Sequence, residues 1–236
     1  MNPPHAVKTA RDRLIIALDF PDAEKAIACA ESLAGDISYF KIGLQLYTAA
    51  GPEIIRAVKA TGAKVFLDLK LYDIPTTVAK AVAAAGALDV AMLTLHLSGG
   101  RRMIAAAVAE CPPSLLLLGV TVLTSSDAET LREVGIETGG AEQALRLGCL
   151  GAEAGIGGLI ASPHEVVSLR RQLGEDMTII TPGVRPMWAA ADDQKRFTTP
   201  RRAIDNGADY LVIGRPVTAH PNPKEAAQKI IEELTA

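Results

Sequence analysis

LIIALDFPDAEK, residues 14–25, is an apolar run that turns polar at Asp19 and continues without a glycine-rich loop. The run reads as a strand, and the missing loop decides between two architectures. A doubly wound open sheet usually carries such a loop after its first strand, where it cradles a dinucleotide. A closed parallel barrel needs none. The glycines of GAEAGIGG (151–158) precede a strand instead of opening a helix, so they lend the dinucleotide reading little support.

The rhythm set by this first strand continues along almost the whole chain. Apolar, β-branched-rich runs recur as YFKIG (39–43), KVFLDLK (64–70), VAMLTLH (90–96), LLLLGVTVL (115–123), GLIAS (158–162), MTIITPGV (177–184) and YLVIGRP (210–216). Amphipathic or alanine-rich segments separate them, among them AEKAIACAESLAG, PEIIRAVKATG, RRMIAAAVAEC, PHEVVSLRRQLG and TPRRAIDNGAD. Gly35, Gly62, Gly86, Gly174 and Gly207 stand where those helices should stop. Eight strands, each followed by helix, predict an α/β TIM (β/α)8 barrel with residues 1–236 as one domain.

The 236 residues are 49% hydrophobic and 22% charged, enough apolar content for a large core. With 24 basic against 27 acidic residues the net charge is −3, and neither end concentrates one sign. That argues against a nucleic-acid partner and leaves any anion site local. The opening MNPPHAVKTARDR lacks the apolar core of a secretory signal, and no apolar run is long enough to span a membrane. Cys29, Cys111 and Cys149 are odd in number, widely spaced and outside any CxxC pair, so neither a disulfide framework nor a zinc site is expected. These features predict a cytoplasmic protein with no membrane partner.

In such barrels the chemistry gathers on the C-terminal rim. Strand ends alone supply Asp19, Lys41, Asp68 with Lys70, His96, Thr124, Arg185 and Arg215. A single charged pair would read as an ion pair closing the barrel top. So many charges at strand ends point instead to a site, because burying them is costly unless each is paired. In LDLKLYDIP (67–75), alternation with period two sends Asp68 and Lys70 to the same side, with Asp73 just past the strand. Pro75 suits the first turn of the helix that follows.

The ends of the seventh and eighth strands, where these barrels often hold a phosphate, read TPGVRP (181–186) and IGRP (213–216). Glycine lets the backbone approach an anion closely, and arginine offers a planar fork that matches phosphate oxygens. The intervening loop PMWAAADDQKRFTTP (186–200) is long for this fold and reads as a lid that excludes water. Gln194 offers an amide donor from it, while Lys195 and Arg196 read as solvated surface and Trp188 as lid packing. His96 reads as a hydrogen-bonded structural residue, and His5, His164 and His220 as surface or loop.

Taken in order, these segments resemble the orotidine 5′-phosphate decarboxylase family from Asp19 to Arg215. The segments are ALD, FKIG, the signature D-x-K-x-x-D-I-P as Asp68-Leu69-Lys70-Leu71-Tyr72-Asp73-Ile74-Pro75, TPGVR, DQKR and IGRP. The resemblance implies decarboxylation of orotidine 5′-monophosphate (OMP) to UMP, the last step of de novo pyrimidine biosynthesis, with no cofactor and no metal. It implies that Asp19 binds a ribose hydroxyl and that Lys41 bridges the ribose and the acidic cluster. Asp68 is implied to sit beside the substrate carboxylate and Lys70 to protonate C6. Thr124 is implied to lie near the pyrimidine, and Arg185, Gln194, Gly214 and Arg215 to hold the phosphate. The family also implies a homodimer in which Asp73 and Thr77 reach into the neighbouring subunit's site.

The charges suit that chemistry. Loss of CO2 from C6 leaves a carbanion with little resonance help; a fixed ammonium stabilises the developing charge and then protonates it. Repulsion between Asp68 and the substrate carboxylate is the smaller effect. Two like charges about 4 Å apart cost roughly 4 kcal/mol at an effective dielectric of about 20, against enzymatic barrier reductions of about 8–23 kcal/mol. Three alternatives fit less well. A metal-dependent phosphosugar decarboxylase or aldolase of the same barrel group places an acid at the end of strand two, where this chain has Lys41. A phosphopentose epimerase needs histidines at strand ends, where only His96 stands. A non-catalytic phosphate-binding barrel has no need of Lys41, Asp68, Lys70 and Asp73 together.

Overall fold

Eight parallel strands follow one another around a closed barrel in the structure, a computed structural model that describes residues 9–189 and 198–235. They are β1 (Leu14–Ala17), β2 (Tyr39–Gly43), β3 (Lys64–Leu71), β4 (Met92–His96), β5 (Leu116–Val120), β6 (Gly158–Ile160), β7 (Thr178–Pro182) and β8 (Tyr210–Ile213). The ring closes by pairing first strand with last, Leu14 opposite Leu211 and Ile16 opposite Ile213. Between strands run α1 (Ala23–Ser32), α2 (Leu44–Ala50), α3 (Glu53–Ala60), α4 (Pro75–Ala87), α5 (Gly100–Ala109), α6 (Ala128–Glu133), α7 (Gly140–Glu153), α8 (Val166–Leu173) and α9 (Pro200–Asp205). After β8 come α10 (Arg215–Thr218) and α11 (Pro223–Thr235). The predicted barrel is the one found.

Local chemistry sets the helix ends. Asp22, Asp127 and Thr199 accept hydrogen bonds from Lys25, Thr130 and Arg202 backbone N–H groups, capping α1, α6 and α9. Each such cap contributes about 1 kcal/mol. Pro75 takes the first turn of α4 as expected. Gly35, Gly62, Gly174 and Gly207 adopt positive φ (80°, 87°, 77° and 103°) just past helices, as stop signals should. Gly86 departs from that expectation. It lies inside α4, and a Cβ there would stand 2.7 Å from Cγ of Pro112, so its smallness serves helix packing.

Period two divides the strands between two cores. Ile15, Tyr39, Phe66, Met92, Leu118 and Tyr210 fill the barrel interior. Ile16, Phe40, Val65, Leu93, Leu117 and Leu211 face the helix shell. One inward step further along the chain, the same alternation reaches Lys41, Asp68 and Thr94, and on the first strand it passes Ala17 before reaching Asp19 beyond the strand end. The rule that packs the barrel therefore also loads its mouth with polar groups.

Two strand-level expectations need correction. Between β3 and β4, Leu67 lies opposite Leu93 but the next pair is Leu71 with Leu95, so β3 advances four residues against two. Lys70 sits in that irregularity at φ 51°, and its approach to Asp68 comes from a bulge, not from regular alternation. Strands four to eight are shorter than their apolar runs, and Arg185 lies beyond the end of β7. Thr124 therefore stands in the loop after β5, and Arg215 opens α10 instead of ending a strand.

Candidate active site

Lys41 is the best-buried charge at the mouth, only 8% exposed on β2. Its Nζ lies 2.8 Å from Oδ1 of Asp19, past the end of β1, and 3.7 Å from Oδ2 of Asp68 on β3. Asp68 in turn takes Lys70 Nζ on both carboxylate oxygens at 2.7 Å. The four groups alternate in sign and sum to zero, and the two least exposed, Lys41 and Asp68, each have an opposite charge on either side, which is how the mouth tolerates their burial. Gly43 makes room for the first link. A Cβ there would meet Lys41 Nζ at 2.9 Å and Asp19 Oδ1 at 3.3 Å.

A cavity opens beside this chain of charges, with Lys41, Asp68, Lys70 and Thr124 along one part of its lining. Phe66, Val120, Ile160 and Val212 supply apolar wall. A charged head against an apolar wall is suited to electrostatic work, because interactions strengthen where water is scarce.

Lys70 reaches this point from a left-handed backbone, a conformation that costs a non-glycine residue roughly 1–2 kcal/mol. Fully buried Thr94 faces it from β4. Its Oγ1 accepts the Lys70 backbone N–H at 2.8 Å and donates to Asp68 Oδ1 at 2.9 Å. Sequence reading missed both Thr94 and Gly43. The one signal for Thr94 was a polar residue at an inward position of the apolar strand MLTLH.

His96, two residues on, is half-buried with its ring tilted against Tyr72 at 6.0 Å between centroids. Among the described residues its side chain makes that ring contact and no hydrogen bond. Burial holds its pKa below the ordinary imidazole value; the Lys70 ammonium adds to this and Asp68 opposes it.

The expected phosphate residues gather elsewhere on the rim. Half-buried Arg185 and exposed Arg215 line one shallow pocket together with Trp188 and His220. Gly214 immediately precedes α10 and packs close to Ala17. Trp188 stands edge-on to His220 at 5.8 Å with Lys229 near its face at 5.9 Å, so it is a packing residue. His164 is exposed. Gln194, Lys195 and Arg196, most of the expected lid, and His5 lie outside the described residues.

Asp73 and Thr77 do not join the site of their own chain. Both are exposed on the rim, where Asp73 Oδ1 accepts the Ile74 N–H at 2.6 Å and forms no ion pair among the described residues. Their neighbours Tyr72 and Ile74 are 63% and 67% exposed, which leaves an apolar edge beside them uncovered. Among the described residues no group of three or more His, Cys, Asp or Glu is placed to hold a metal ion, and no helix is long and apolar enough to cross a membrane.

Residues 12–230 match the family model described as "Orotidine 5'-phosphate decarboxylase / HUMPS family". Similar curated proteins include the orotidine 5′-phosphate decarboxylases of Opitutus terrae and Syntrophotalea carbinolica. The first is 50% identical, covering 94% of this chain and 97% of its own. The second is 48% identical, covering 96% of both. The crystal structure of orotidine 5′-phosphate decarboxylase from Lactobacillus acidophilus superposes with a TM-score of 0.83 at 35% identity, covering 94% of this chain and 99% of that one.

Proposed function

The chain belongs to the orotidine 5′-phosphate decarboxylase / HUMPS family and decarboxylates OMP, and from that premise we propose how its residues divide the work. Arg185, Arg215, Gly214 and Gln194 hold the phosphate, Asp19 and Lys41 the ribose, and Thr124 lies near the pyrimidine. The substrate carboxylate enters beside Asp68. As the C6–CO2 bond breaks, its electron pair stays on C6, and Lys70 Nζ gives C6 a proton, leaving UMP and a neutral amine. The observation that carries this reading is the Lys70 ammonium, held 2.7 Å from both Asp68 oxygens at the edge of an apolar cavity.

Two features support a larger share for transition-state stabilisation than for repulsion. Asp68 is already balanced by Lys70 and Lys41, so the charge it turns on an entering carboxylate is partly neutralised. The ammonium, by contrast, meets a charge that exists only as the bond breaks. Binding energy from the distant phosphate contributes by holding the pyrimidine in place.

In this reading residues 1–236 form one catalytic domain of a cytoplasmic homodimer, with Asp73 and Thr77 completing the neighbour's site. The exposed Tyr72–Ile74 edge and three unpaired cysteines support it. A metal-dependent sugar-phosphate reaction on this barrel is disfavoured by Lys41, whose ammonium would repel a cation from the strand-two position. The test is loss of OMP absorbance with and without EDTA. We expect turnover to UMP with no added metal and no effect of chelator; metal-dependent turnover of a sugar phosphate in its place would overturn the reading.

A further inference from the structure

We infer that Thr94 is a positioning residue for the decarboxylation, its hydroxyl setting both the backbone and the side-chain tip of Lys70 through one relay. The inference rests on the roles just given to Asp68 and Lys70. Between Leu67 and Leu71 the β3–β4 ladder slips, so the Lys70 N–H loses the carbonyl partner a regular parallel pair would offer. Thr94 Oγ1 replaces it at 2.8 Å. An amide can only donate, so the single hydroxyl proton is left for Asp68 Oδ1, 2.9 Å away. That same carboxylate holds Lys70 Nζ. The contacts form a closed loop: Lys70 backbone to Thr94, Thr94 to Asp68, Asp68 to the Lys70 ammonium.

The loop explains how a strained residue stays where the chemistry needs it. A left-handed lysine persists only when its surroundings over-determine it, and Thr94 is the contact that pins its N–H. Thr94 is fully buried, so bulk water is poorly placed to take over either bond. Without the hydroxyl the bulge is free to relax toward regular strand, which swings alternate side chains to the other face. The arginines expected to hold phosphate lie on the β7 and α10 side and are untouched by that change. Loss of Thr94 should therefore appear in kcat and not in ligand affinity.

The experiment compares the parent chain with Thr94→Ser, Thr94→Val and Thr94→Cys. Valine keeps the shape and removes the hydroxyl; cysteine keeps the size of serine but is a weak acceptor and donor. We expect kcat for OMP to fall by about 10- to 100-fold in the Val and Cys variants, as small misplacements of catalytic groups do. KM and UMP affinity should stay within about threefold of the parent, the signature of an interaction realised in the transition state. Thr94→Ser should restore most of kcat. Should the Val variant fail to fold, Ser against Cys, which differ in one atom, decides the matter. Parental kcat in the Cys or Val variant, or an equal loss in Ser, overturns the inference. A parent chain inactive on OMP defeats the functional reading instead, so the two failures are distinguishable.

Discussion

At Gly43 an added methyl would lie 2.9 Å from the Lys41 ammonium and 3.3 Å from the Asp19 carboxylate. The obstacle is the end of a flexible side chain, so Gly43→Ala should fold, with Tm shifted by no more than a few degrees, while the Asp19–Lys41 contact opens. We expect kcat/KM for OMP to drop by about tenfold or more; an unchanged value would show that the contact does not matter for turnover. FKIG displayed this glycine in the sequence, yet its purpose was not legible there. The missing Cβ faces an atom two residues back and another from Asp19, just past β1, a meeting that only the barrel creates. Thr94 was hidden for the same reason. A lone threonine among leucines is visible, but its partners lie 24 and 26 residues away across a slipped ladder.

Element existence was readable because period two and the glycine stops are local signals, whereas element ends depend on partners. The run LLLLGVTVL continues past β5 since Val122 and Leu123 line the cavity, and an apolar wall looks like an apolar strand. Polar positions at element ends can also carry stability. Glu165, just before α8, is 8% exposed, and its Oε2 accepts the Ser162 N–H at 3.1 Å. Burial raises its pKa from 4.5 to about 7, partly opposed by that hydrogen bond. A raised carboxyl keeps its proton in the folded chain after the unfolded chain has lost it. Stability from this group therefore falls as pH rises between about 4.5 and 7, and the penalty persists above that window. Glu165→Gln keeps an acceptor for Ser162 and removes the titration. It should be about 1–3 kcal/mol more stable than the parent at pH 8 and close to it at pH 5. Urea midpoints at the two pH values check this; a gain of equal size at both would point to packing instead.

On the scale of the molecule, the barrel was legible from eight repeats of one pattern, but the rim was not, because no periodic pattern sets which of its residues stay exposed. Asp73 and Thr77 are exposed beside the uncovered Tyr72–Ile74 edge, and Lys70 pairs with Asp68 instead of Asp73. If they serve a second copy, mixing inactive Lys70→Ala and Asp73→Ala chains should return activity, since in a hybrid dimer one site collects both defects and the other neither. Random pairing makes about half the dimers hybrid and restores about a quarter of parental sites. No activity from demonstrated hybrids would place Asp73 in its own subunit's site. The β1–β8 pairing has a consequence for synthesis as well as for shape. Asp19 through Thr94 leave the ribosome early, the arginines proposed to hold the phosphate late, and Gly214 meets Ala17 only when the final strand docks. On the roles proposed above, a nascent or truncated chain would hold its proton donor without the arginines that retain the nucleotide, and the act that completes folding would also be the act that makes the catalyst.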